Sequence, residues 1–158
     1  MTTTEKPPIP STARSSATVV DETIQVAQRS PNAPPRAEDA CQVGVLRRIT
    51  ATRLCRLGLG ARTDEVMLVV SELVTNALLH SSTQKITLSI TAQDNMLWIT
   101  VRDGKPGKPM LRTPDAQAAS GRGLLIVDAV TREAGGIWGT GADGAATWCC
   151  LPLPARRQ

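Results

Sequence analysis

Between residues 66 and 101 the apolar side chains change their period, and that change restricts the fold more than any other feature of the chain. Val66, Val69, Val70, Leu73 and Ala77 recur at three- and four-residue steps, the spacing of one helical face. Ile86, Leu88 and Ile90, then Leu97, Ile99 and Val101, fall on every second residue, the spacing of one strand face. Asp94–Asn95 separates the two alternating runs as a tight turn. A helix with one apolar face followed directly by a hairpin with one apolar face is the seed of a two-layer structure, because each face needs the other as its cover.

The flanking segments extend this pattern. Val43, Leu46, Thr50, Leu54 and Leu57 predict an earlier helix that stops at Gly58 and Gly60. Thr63 reads as the N-cap of the next helix, with Asp64 and Glu65 in its first turn and an end near His80–Ser82. Residues 104–120 are punctuated by Pro and Gly, and loops of that length in a compact domain are usually functional. A third helix is expected from about Gly123 to Glu133, then a second hairpin from Ile137–Thr140 and Ala145–Leu151 around the turn Gly141–Gly144. The order α α β β α β β predicts an α/β (α+β) two-layer sandwich, with four mostly antiparallel strands and helices on one face. Residues 1–36, rich in Pro, Ser and Thr with a short apolar patch at Val19, Val20, Ile24 and Val26, read as a mostly disordered arm. The domain is placed at 37–153 and a tail at 154–158.

Composition narrows the function classes. Aromatic residues are 2% of the chain, three Trp with no Phe or Tyr, so the core relies on aliphatic side chains and the composition argues against stacking of several bases on aromatic platforms. No apolar run reaches the roughly 20 residues of a membrane span, and MTTTEKPPIP lacks the apolar region of a secretion signal, so the expectation is a soluble cytoplasmic protein. Cys41, Cys55, Cys149 and Cys150 form no C-x-x-C pair, and with His80 as the only histidine they read as small buried thiols. Of the net charge of +4, residues 38–63 hold +3 through Arg47, Arg48, Arg53, Arg56 and Arg62 against Glu38 and Asp39. Residues 64–158 sum to zero, so the basic footprint is too local for a dedicated DNA-binding domain. The arginines also spread over more than one helical face, which argues against direct nucleic acid binding.

Three short stretches carry the chemistry. Glu72, Asn76 and His80 lie on consecutive turns of one helical face at the margin of the apolar arc. A carboxylate and a carboxamide one turn apart suit a hydrated Mg²⁺ and the activation of a nucleophile. Asp103, in Val101–Arg102–Asp103–Gly104, ends a strand, where a fixed carboxylate can accept from the exocyclic amine of adenine. Ser120–Gly121–Arg122–Gly123–Leu124 places glycines where a helix opens, so free amides there would bind an anion.

Taken in order, these stretches resemble the N, G1 and G2 boxes of the Bergerat ATP-binding fold, the superfamily of gyrase, histidine kinases and anti-sigma factor serine kinases. The phrases SELVTNALLH, VRDG and SGRGLLIV look most like small anti-sigma-kinase-like ATPases. The resemblance covers about residues 37–153. It implies ATP and Mg²⁺ as cofactors, Asn76 as the metal ligand and Glu72 as the general base toward an attacking hydroxyl. It implies that Asp103 reads the adenine amine and that Gly107, Gly121, Gly123, Leu124 and Arg122 line the phosphates, with His80 near the phosphate end. The implied function is transfer of the γ-phosphate to a Ser of an anti-anti-sigma factor together with sequestration of a sigma factor, usually as a homodimer. The alternative is a catalytically inactive, nucleotide-gated interaction module in transcriptional regulation. Two departures favour that alternative. Lys105 replaces a G1 glycine, and Ala146 stands where relatives carry a Thr two residues before the final-strand Trp, with Thr147 expected on the other side of the strand.

Overall fold

The computed structural model describes residues 16–27, 33–80, 84–104, 118–141 and 144–154, without the side chains of His80 and of residues 118–122. The elements follow in the order β1 (Ser16–Gln25), α1 (Ala37–Arg56), a 3-10 turn (Gly60–Arg62), α2 (Thr63–His80), β2 (Lys85–Gln93), β3 (Met96–Arg102), α3 (Ala118–Ala134), β4 (Ile137–Thr140) and β5 (Ala146–Pro152). The five strands form one antiparallel sheet in the order β1-β2-β3-β5-β4. The α+β two-layer sandwich is as expected.

The core lies between one face of the sheet and the three helices. Ile86, Leu88 and Ile90 of β2, Leu97, Ile99 and Val101 of β3, and Cys149 and Leu151 of β5 meet Leu46 and Leu54 of α1 and the whole expected stripe of α2. The β2–β3 turn has Asp94 and Asn95 at φ 51° and 64°, the left-handed pair that a right-twisted two-residue hairpin requires. Helix α2 runs between α1 and α3. Thr63 is not an N-cap: it already has helical dihedrals, φ −56° and ψ −46°, and its hydroxyl donates back to the Gly60 carbonyl at 2.8 Å. The 3-10 turn running into α2 removes the need for a capping side chain.

Strand β1 corrects the reading of residues 1–36 as an arm. It pairs along β2 from Ser16↔Gln93 to Gln25↔Lys85, setting Val20 opposite Ile90 and Ile24 opposite Ile86. A register shift between Thr18 and Val20 lets the consecutive residues Val19 and Val20 both be buried. The apolar patch is short, but β2 supplies the backbone partners and α1 the cover. Arg53 of α1 pairs with Glu22 of β1 at 2.7 Å, partly exposed, and contributes less than about 1 kcal/mol. Asp39, buried in the first turn of α1, accepts from the Ala27 amide and the Arg36 guanidinium, both at 3.3 Å, which closes the β1–α1 connection.

Two more ties set the far end of the helix layer. Arg62 donates to the Pro152 carbonyl at 2.8 Å and the Ala134 carbonyl at 3.5 Å, joining the start of α2 to the ends of β5 and α3. Trp138 of β4 donates its indole N–H to Asp128 of α3 at 3.0 Å, and Arg132 pairs with the same carboxylate at 2.8 Å. The indole hydrogen bond holds the Asp128 carboxyl below its ordinary range. Two of the five arginines in the basic segment are therefore engaged internally, Arg53 and Arg62, while Arg47, Arg48 and Arg56 lie exposed.

If β1 belongs to the cooperative unit, Val20→Ala will lower unfolding stability by about 2 kcal/mol in a urea titration. An unchanged midpoint would mean the strand contributes nothing to folding.

Candidate functional site

The site is built on one shoulder of α2. Leu73, Val74, Ala77 and Leu78 are buried, whereas Thr75 and Leu79 are exposed. Glu72 and Asn76 fall between these extremes, half-buried and one turn apart. The shoulder faces α3, because a Cβ built on Gly123 would stand 2.9 Å from Oε2 of Glu72. The N-box carboxylate and a G2-box glycine are thus in direct apposition.

The opening of α3 differs from the sequence reading. The helix begins at Ala118, so Gly121 and Gly123 lie inside its first two turns and do not open it. The amide of Gly123 is directed along the helix toward the carbonyl four residues back, and the amides left without helical partners are those of the first turn. Gly123 is buried against α2, and Leu124 packs in the hydrophobic core. Gly121 and Arg122 lie in α3 with the Arg122 side chain outside the described residues, as are the side chain of His80 and all of Lys105 and Gly107.

Asp103 follows β3, and its amide donates to the Ala145 carbonyl at 2.9 Å, which extends the β3–β5 ladder by one step. Continuing the alternation from Val101, Asp103 falls on the helix-facing side of the sheet. The same register corrects the reading of β5. Ala146 sits opposite Arg102 on the outer face, and Thr147 sits opposite Val101, whose side chain is in the core. Directly opposed residues share a face, so Thr147 faces the helices as a diagonal neighbour of Asp103. Sequence reasoning missed Thr147 because the phase of β5 depends on its register with β3.

Asp103 and Thr147 thus share the side of the sheet against which the helix layer, with Glu72 and Asn76 on α2, is packed. Among the described residues no three His, Cys, Asp or Glu side chains converge as a metal cage. Mg²⁺ retains several waters and takes few protein ligands beside substrate phosphates, so one carboxamide on a half-buried shoulder, next to a carboxylate, fits it. The cysteines take no part. Cys149 and Cys150 are buried on opposite sides of β5, and burial pushes the Cys149 thiol well above its ordinary range and Cys150 up to about 12. Cys41 and Cys55 are exposed on α1, contrary to the expectation that all four are buried. No helix among the described residues is long and apolar enough to cross a membrane.

Residues 61–155 match the family of histidine kinase-, DNA gyrase B-, and HSP90-like ATPases, and the chain belongs to that family. The matched span takes in α2, both hairpins and α3, the elements that carry Glu72, Asn76, Asp103 and Gly123. Membership implies an ATP-binding site. The chain is also similar to the anti-sigma F factors of Bacillus velezensis and Bacillus subtilis, each 32% identical over 40% of this chain and 52% of the relative. It spans about half the length of these curated relatives.

Thr147→Val removes a hydroxyl while keeping the shape of the side chain. ATP affinity measured by calorimetry should fall by about 1 kcal/mol, roughly fivefold, whereas an unchanged affinity would put Thr147 outside the pocket.

Proposed function

We propose that the chain is an ATP-dependent protein serine kinase of the anti-sigma type, acting in the cytoplasm. It would phosphorylate a Ser of an anti-anti-sigma factor and sequester a sigma factor, as a homodimer. The observation that carries this reading is the pairing of Glu72 and Asn76 on the α2 shoulder that faces α3. The similarity to anti-sigma F factors supports the partner classes.

In this reading Asp103 accepts a hydrogen bond from the adenine amine, and Thr147 offers its hydroxyl beside it. Gly121, the first-turn amides of α3 and Arg122 receive the phosphates, and the family resemblance adds Gly107 and His80 to that role. Asn76 would hold Mg²⁺ through its carboxamide oxygen, and the ion, when bound, would supply charge neutralisation at the phosphate chain. Glu72 accepts the proton of the partner's Ser hydroxyl as its oxygen attacks the γ-phosphorus, while ADP leaves with the bridging oxygen.

The second reading, a nucleotide-gated interaction module without catalysis, keeps Lys105 in its favour. The placement of Thr147 on the helix-facing side weakens the other argument for it.

The test is phosphoryl transfer from labelled ATP to the cognate serine-bearing antagonist. Glu72→Ala is expected to lose about a hundredfold or more in rate while still binding ATP. Transfer that survives Glu72→Ala undiminished sinks the kinase reading, and the absence of transfer by a wild type that binds ATP and captures its partner favours the interaction module.

A further inference from the structure

Gly123 sits in the second turn of α3, beyond the first-turn amides, and does not adopt the positive φ that would call for glycine. Alanine is the better helix former at such a position. Backbone conformation therefore does not explain the glycine, and what remains is its surroundings. A Cβ there would meet Oε2 of Glu72 at 2.9 Å, closer than real Cβ contacts come, so the carboxylate would have to shift. The next nearest atoms, the Glu72 carbonyl oxygen at 3.9 Å and Cδ at 4.0 Å, are at ordinary contact distance. Only the carboxylate tip is in the way, so a larger residue would displace the carboxylate without prising the helices apart.

We infer that Gly123 is a positioning residue for Glu72: its missing side chain forms the seat on which the carboxylate rests, and it does not serve as an approach for phosphate. The inference rests on Glu72 being the general base proposed above. Two further observations support it. Gly123 is buried toward α2, so the side of the helix it presents is closed by Glu72 itself. Further along, α3 is tied to β4 by the Trp138 indole on Asp128, so the seat is carried on a helix anchored to the sheet. A rigid base matters because a misplacement of about 1 Å costs on the order of a hundredfold in rate. The phosphate role in this segment then falls to Gly121 and the first turn.

The experiment uses the full chain with Gly123→Ala, Glu72→Asp, Glu72→Ala and the two double variants. Gly123→Ala is expected to leave ATP affinity and KM within about twofold of wild type and to lower kcat by roughly tenfold to a hundredfold. Glu72→Asp withdraws the carboxylate from residue 123, so Gly123→Ala added to it should cost nothing further. Thermal unfolding gives a readout free of activity: alanine at 123 should raise Tm more in the Glu72→Ala background than in the wild type, because the carboxylate no longer opposes it. Equal Tm changes in both backgrounds, or additive losses of kcat with Glu72→Asp, would overturn the seat. A weakened ATP affinity with kcat preserved would overturn it too and return Gly123 to the phosphates. A wild type without turnover would retire the kinase reading, and the thermal cycle would still decide whether Gly123 seats the carboxylate.

Discussion

The site depends on the burial of one face of α2 against the sheet. Val66, Val69, Val70, Leu73 and Val74 are almost wholly removed from solvent, and burial of such side chains stabilises by about 1.5–3 kcal/mol each. That packing fixes the rotation of the helix about its axis. With Leu73 and Ala77 directed at the sheet, Glu72 and Asn76 have only the shoulder toward α3, neither in the core nor in open solvent. A rotation of one residue, about 100°, would bury the carboxylate or strand it at the surface. The polar chemistry of this chain is thus placed by its apolar chemistry.

The other functional positions inherit their places from the same sheet. Val101 packs inward beneath α2, so Asp103 two residues on is on the inner side, and the β3–β5 register brings Thr147 to that side with it. α3 is tied down at its C-terminal half by Asp128, Trp138 and Arg132, while its glycine-bearing turns lie against Glu72. One end of the helix is tied to β4 and the other is apposed to the Glu72 carboxylate. Strand β1, far from this apposition, extends the sheet and covers the core beneath α1.

What was legible in the sequence was local periodicity. The stripe of α2 and the alternation of β2 and β3 locate the hairpin, its turn and the shoulder residues without any tertiary information. What escaped depended on partners distant in the chain. β1 is masked by a composition typical of disordered segments, and its valines become core only once the edge of β2 and the roof of α1 exist. The glycines of α3 look like a helix opening because their propensity is poor, yet the helix starts at Ala118 and carries both within it. Thr147 was assigned to the wrong face because alternation within β5 gives two phases, and only pairing with Val101 selects between them. Lys105 and Gly107 lie outside the described residues, so the reading of the G1 loop stands on sequence alone.

The claim on which the account turns is that the α2 shoulder and the β3 end form a metal-dependent nucleotide site. Calorimetric titration of Mg·ATP into the wild type and into Asn76→Ala measures it most directly. The account predicts saturable one-to-one binding to the wild type and a loss of about tenfold or more in the variant. A folded wild type that takes up no Mg·ATP, or an Asn76→Ala protein that binds it equally well, would contradict it.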